Sequence, residues 1–177
     1  MKLAIFDRDG VIDDNSVCYY VYRKEDFKFN PGVVHTLVHL TRQGYCIAVV
    51  SNQSGIAKGV YTLQDVNILH DWMTDELARQ GAVIQRIYVC PHHPSVSNCL
   101  CRKPQPLLLE KAMSEMGAKP EETFFVGDSD TDIKAGAAAG IRTIKVEPNG
   151  DLYRQLREQG VIEDRGKRIE ESLKSKV

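Results

Sequence analysis

The stretch Leu3-Ala4-Ile5-Phe6-Asp7-Arg8-Asp9-Gly10-Val11 decides the fold. Four apolar residues run into a carboxylate, a second carboxylate follows two positions later, and a glycine closes the cluster. A short apolar run ended in this way reads as a buried strand of a parallel sheet. Open α/β sheets gather their ligands at the carboxyl ends of such strands. Side chains at i and i+2 leave a strand on the same side, so Asp7 and Asp9 can face one small volume. Two anions held that close repel unless a cation or a proton lies between them. Read alone, the stretch also fits a plain Asp-rich turn after an edge strand.

Working outward, the same arrangement recurs. Residues 45–50 form a second apolar run, which enters Ser51-Asn52-Gln53-Ser54-Gly55. This hydroxyl- and amide-rich loop can offer Ser51, Asn52, Gln53 and backbone N–H groups to a phosphate oxygen. Residues 83–89 give a third strand. Residues 123–126 give a fourth, running into Gly127-Asp128-Ser129-Asp130-Thr131-Asp132, and residues 142–146 a fifth. Hard carboxylate oxygens gathered at a strand end suit Mg²⁺. Helices separate the strands. Pro31-Gly32 opens one that Gly44 ends, and Thr62 with Asp65 forms a capping box for the next. Pro106 starts a third, and residues 133–139 make a short alanine-rich one. Residues 151–159 and 167–176 are expected to be helical, and residues 13–30 to be a long loop with a short hairpin. Alternating strands and helices predict an α/β fold: a three-layer, Rossmann-like parallel sheet of about five strands with helices on both faces. Residues 1–150 would be one domain and 151–177 a helical extension of it. His35 and His39 are four apart, but without a third ligand they read as surface histidines.

The chain has 177 residues, a net charge of −1 and no apolar run near the ~20 residues that span a bilayer. Nothing in it suggests a nucleic-acid or membrane partner, and the expected location is the cytoplasm. Three of the five cysteines fall within twelve residues, in Cys90-Pro91-His92-His93-Pro94-Ser95-Val96-Ser97-Asn98-Cys99-Leu100-Cys101. In a reducing compartment such clustering points to metal rather than disulfides. Cys90, His92, Cys99 and Cys101 make a Cys₃His set for structural Zn²⁺, with His93 left open as the alternative to His92. Cys18 and Cys46 read as free thiols. Arg102-Lys103-Pro104 follows the last ligand directly.

Asp7-Arg8-Asp9-Gly10-Val11, Ser51, Lys103 and Gly127-Asp128 with Asp132 resemble, in order, the four motifs of the haloacid dehalogenase superfamily of phosphatases. Val11 stands where the first motif more often has threonine. Ser51 to Gly59, the cysteine loop and Cys101-Arg102-Lys103-Pro104 resemble the branch that holds the D-glycero-D-manno-heptose 1,7-bisphosphate phosphatases and the histidinol-phosphate phosphatases. Ser54, where the histidinol-phosphate enzymes carry an acidic residue, favours the heptose side. The spacing between motifs leaves no room for a cap domain.

The resemblance implies a Mg²⁺-dependent phosphatase that removes the C7 phosphate of a heptose bisphosphate, a step toward nucleotide-activated heptose for lipopolysaccharide. Asp7 would be the nucleophile and Asp9 the general acid and base. Mg²⁺ would sit on Asp7, the Asp9 carbonyl and Asp128, with Asp132 behind them. Ser51 and Lys103 would bind the phosphoryl oxygens and Arg102 the sugar or its second phosphate. The partner would be a small phosphorylated sugar and the protein a monomer. Histidinol phosphate is the rival substrate, and an inactive zinc-stabilised binding module the rival outside enzymes.

Overall fold

A computed structural model describes residues 1–163. Five strands, β1 (Leu3–Phe6), β2 (Cys46–Asn52), β3 (Arg86–Cys90), β4 (Thr123–Gly127) and β5 (Arg142–Lys145), pair in parallel in the order β3-β2-β1-β4-β5. Leu3 pairs with Cys46 on one side and with Thr123 on the other, so β1 lies at the centre. All four of its residues are 0% exposed, which explains why the run is continuously apolar.

The pleat divides those side chains between two cores. Ala4 and Phe6 join the core under α1 (Val33–Arg42), α2 (Leu63–Arg79) and α5 (Leu152–Glu158). Leu3 and Ile5 join the one under α3 (Leu107–Met116) and α4 (Asp130–Ala138). Helix periodicity matches this split. Val33, Leu37 and Leu40 of α1 are buried, as are Val66, Leu69, Met73 and Leu77 of α2. The Thr62–Asp65 capping box is formed.

Several boundaries differ from those the sequence suggests. The second strand runs on through Ser51 and Asn52, which pair with Val89 and Cys90. α4 begins at Asp130, ahead of its apolar pattern, because Ser129 and Asp132 form a capping box there. Between β1 and α1 the chain makes one 3₁₀ turn, Lys24–Asp26, and isolated bridges from Asp13 to Asp9 and Phe29, in place of a hairpin. Phe27 and Phe29 pin this loop to Trp72 of α2, with ring centroids 5.4 and 6.3 Å apart. His35 and His39 pack on Tyr153 of α5 at 3.9 and 6.2 Å, so their spacing serves helix packing. The helix expected at 167–176 lies outside the described residues. Among the described residues no helix is long and apolar enough to cross a membrane.

Candidate active site

Asp7 follows β1 directly, and its N–H donates to the Val126 carbonyl at 2.9 Å. Lys103 reaches it from the loop before α3. The Lys103 ammonium lies 2.8 Å from Asp7 Oδ1 and 2.7 Å from Asp132 Oδ1, and donates to the Val50 carbonyl at 3.0 Å. Only 2% of Lys103 is exposed. Asn52 clamps the backbone of Lys103 in both directions: its Oδ1 accepts from the Lys103 N–H and its Nδ2 donates to the Lys103 carbonyl, each at 3.1 Å. Asp132 has two duties. One oxygen accepts from the N–H and hydroxyl of Ser129 at 3.1 and 2.6 Å, and the other meets Lys103.

Charge in this pocket is unbalanced. Burial pushes the Asp7 carboxyl up to about 8, although Lys103 opposes the shift. Burial, then the charge of Asp132, pushes Asp128 up to about 6. Burial would raise Asp132 as well, but Lys103 and Ser129 hold it below the usual carboxylate range. Ligand atoms of Asp7, Asp128 and Asp132 all lie within 4.8 Å of one another. One ammonium thus faces three carboxyl groups, a net deficit that a divalent cation matches, and hard oxygens suit Mg²⁺. Two glycines make the approach possible. A Cβ on Gly10, whose φ is +81°, would fall 2.4 Å from Asp128 Oδ2, and one on Gly127 would fall 2.3 Å from the Cβ of Asp132.

Asp9 is held from beneath. Gln53 Nε2 donates to its Oδ2 at 2.7 Å and the Ser51 hydroxyl does so at 3.2 Å. Arg8 donates to its Oδ1. The Tyr61 hydroxyl donates to Gln53 Oε1 at 2.6 Å and thereby fixes which way the amide faces. A Cβ on Gly55 would strike the Tyr61 ring at 2.1 Å. Ser51 is 0% and Gln53 2% exposed, and the side chains of both reach Asp9. The sequence reading brought Asp7, Asp9, Ser51, Asn52, Gln53, Lys103, Asp128 and Asp132 to one place, and they do meet there. It missed Arg8 and Tyr61. Only the pleat signalled Arg8, since the residue after Asp7 must point to the opposite layer.

The cysteine loop makes a second cluster. Cys90 Sγ lies 3.7 Å from His92 Nδ1, 3.7 Å from Cys99 Sγ and 3.2 Å from Cys101 Sγ, while His92 Nδ1 is 3.3 Å from Cys101 Sγ. None of these three cysteines is in a disulfide, and neither is Cys18 or Cys46. Four ligands placed tetrahedrally around one zinc stand about 3.3–3.8 Å apart, so the set fits that ion. His92 is the histidine of the cluster; His93 turns outward and pairs with the Ser95 hydroxyl at 2.6 Å. Burial pushes the Cys90 thiol up to about 12, and a bound cation would reverse that shift. Arg102 Nη1 donates to the His92 carbonyl at 3.1 Å, tying it to the same loop.

A HAD-hydrolase-like family model matches residues 100–174. The D-glycero-alpha-D-manno-heptose-1,7-bisphosphate 7-phosphatase of Campylobacter jejuni is 37% identical over 160 residues, covering 88% of this chain and 90% of its own. The D-glycero-beta-D-manno-heptose-1,7-bisphosphate 7-phosphatase of Pseudomonas putida is 39% identical over 163 residues, covering 92% and 91%. A crystal structure of the D,D-heptose 1,7-bisphosphate phosphatase from B. bronchiseptica, complexed with magnesium and phosphate, superposes with a TM-score of 0.78 at 33% identity, over 92% of this chain and 89% of that one.

Proposed function

Since this chain belongs to the family of D-glycero-D-manno-heptose 1,7-bisphosphate 7-phosphatases among the HAD hydrolases, we propose that it hydrolyses the C7 phosphate of a heptose 1,7-bisphosphate and leaves the C1 phosphate in place. The observation that carries this is the pairing of a Lys103-bound Asp7, at 2.8 Å, with an Asp9 whose two oxygens are both held. The activities of the curated relatives favour this substrate over histidinol phosphate.

Asp7 is the nucleophile. One of its oxygens attacks phosphorus, the bond from phosphorus to the sugar oxygen breaks, and an aspartyl-phosphate forms. Asp9 gives its proton to the departing sugar oxygen. It then takes a proton from a water whose oxygen attacks the same phosphorus, releasing phosphate and restoring Asp7. Lys103 supplies positive charge to the transferring phosphoryl group and exchanges its pairing with Asp7 for the phosphoryl oxygens. Mg²⁺ held by Asp7, the Asp9 carbonyl and Asp128, with Asp132 adjacent, would offset the repulsion between an anionic nucleophile and an anionic phosphate. Ser51 and the backbone of Asn52 and Gln53 flank the phosphoryl position. Arg102, on the rim, meets the sugar or its C1 phosphate.

Zinc on Cys90, His92, Cys99 and Cys101 would stiffen the loop from which Arg102 and Lys103 project. Residues 1–150 form the catalytic domain, and α5 extends it. A monomer acting in the cytoplasm on a small sugar phosphate completes the reading.

The test is phosphate release by purified protein from heptose 1,7-bisphosphate and from histidinol phosphate, with and without a chelator. One equivalent of phosphate should leave the bisphosphate, with the higher kcat/KM, and the chelator should stop it. Faster turnover of histidinol phosphate, or release indifferent to the chelator, would overturn the reading.

A further inference from the structure

Arg8 stands between the two motif aspartates, yet its side chain is 0% exposed and belongs to the other layer of the fold. The pleat that sends Asp7 toward Lys103 sends Arg8 toward α2. Every arm of its guanidinium has a direction. Nη2 donates to Asp9 Oδ1 and, at 2.6 Å, to the Val21 carbonyl. Nη1 lies 3.1 Å from His70 Nε2. Nε faces the buried Asp13 carboxylate at 3.8 Å.

A guanidinium has only donors. Nη1 therefore donates, His70 Nε2 accepts, and the ring proton sits on Nδ1. His70 is 5% exposed, on a helix whose start is locked by the Thr62–Asp65 box. Burial, and then the charge of Arg8, push its imidazole down to about 3, so it stays a neutral acceptor. Arg8 in turn stays charged: burial opposes this, but Asp9 and Asp13 outweigh it.

We propose that Arg8 and His70 are positioning residues, His70 aiming the Arg8 guanidinium and Arg8 fixing the plane of the Asp9 carboxyl for proton transfer to the leaving oxygen. This rests on the phosphatase reading above. Arg8 grips one oxygen of Asp9 while Gln53 and Ser51 grip the other, so the carboxyl cannot turn about its own axis. Without His70, one arm of a buried cation loses its acceptor, and the guanidinium must shift to find another. A misplacement of well under a bond length is enough to slow proton transfer.

The dependence on leaving group separates positioning from a merely structural role. A sugar alkoxide is a poor leaving group and needs its proton, whereas p-nitrophenolate leaves readily without one. Damage to the fold or to the metal pocket slows both substrates alike. His70→Leu removes the acceptor at similar size, and His70→Gln restores an acceptor oxygen. With His70→Leu, kcat/KM for the sugar bisphosphate, which reports the steps up to departure of the leaving group and not the later hydrolysis in which Asp9 serves as base, should fall about tenfold, while kcat/KM for p-nitrophenyl phosphate should stay within about twofold of wild type. His70→Gln should recover most of the loss, and Asp9→Asn should show the same split more strongly. Arg8→Lys, which keeps the charge but not the fork, should resemble His70→Leu.

Equal losses in kcat/KM on both substrates with His70→Leu, no loss on either, or a glutamine no better than leucine would each overturn the positioning role. Should Asp9→Asn show the split and His70→Leu not, the positioning role alone fails. Wild-type protein inert toward sugar phosphate would instead overturn the phosphatase reading beneath it.

Discussion

At the ends of β1 and β4, carboxylates are aimed by regular structure. Past β3, thiols are gathered by a loop made of turns. Asp7 and Asp128 follow paired strands, Asp132 is locked into the first turn of α4, and Lys103 is clamped by Asn52. This pocket holds its shape through hydrogen bonds that no ion supplies. In the cysteine loop only Cys90 belongs to a strand, and the backbone bonds there are few, such as those from the Val96 and Ser97 N–H groups to the His93 carbonyl at 2.9 and 3.0 Å. One site is an exit of the sheet where regular structure gathers carboxylates; the other is a segment of turns where four potential ligands meet. Lys103 belongs to both, lying two residues after Cys101 with its ammonium in the carboxylate pocket.

The strongest way to break this contrast is Asp7→Asn. Turnover should vanish, because the proposed nucleophile and one proposed metal ligand go together. The fold should persist, and the metal-free variant should melt no lower than wild type, since a strongly buried carboxyl has been neutralised. Phosphate release and circular dichroism on one preparation test this. An unfolded variant would mean the pocket depends on its own charge.

Cys99→Ser probes the other side. Zinc content should drop and kcat/KM should fall about tenfold to a hundredfold, because the loop carrying Arg102 and Lys103 loses its brace. Circular dichroism should be retained, because Cys99 only packs against the second core from its edge and the first core has no residue in the loop. Unchanged kinetics without zinc would show that Asn52 alone suffices to place Lys103.

The smallest effect is one of pH. In the metal-free protein burial pushes the Asp7 carboxyl up to about 8, against 3.8 unfolded. Between those values the folded state binds more protons than the unfolded chain, so stability falls as pH rises. The contribution is complete below the unfolded value and lost through the folded one. The Tm of chelator-treated protein should therefore drop from pH 5 to pH 8.5, and the rise in Tm on adding Mg²⁺ should grow across the same range. A magnesium effect larger at pH 5 would count against Asp7 as a ligand.

The strands and the motifs at their ends were legible because double-sided burial leaves a continuous apolar run and a strand end leaves an abrupt change to polar residues. Less visible were features that depend on which way a side chain turns. The sequence places His92 and His93 side by side, and only the loop's path sends one to Cys101 and the other to Ser95. Ser51 and Gln53 read as residues of a loop, but β2 carries Ser51 to Asp9 and Gln53 follows it there. The true start of α4 was marked by the spacing of Ser129 and Asp132, the same residues that read as strand-end ligands. Arg8 looked like an ordinary polar neighbour of two aspartates, and its burial follows only once α2 is known to pack on that side.

The central place of β1 also bears on how the protein is made. Leu3 must meet Cys46 across one edge and Thr123 across the other, the second pairing closing a loop of about 120 residues. Long closures of this kind slow folding. Until β4 is synthesised, the strand leading to Asp7 keeps one unsatisfied edge, exposed to pairing with other chains. Asp128 and Asp132, which follow β4, join Asp7 and Lys103 only then, so the carboxylate cluster is completed by the closing of the sheet.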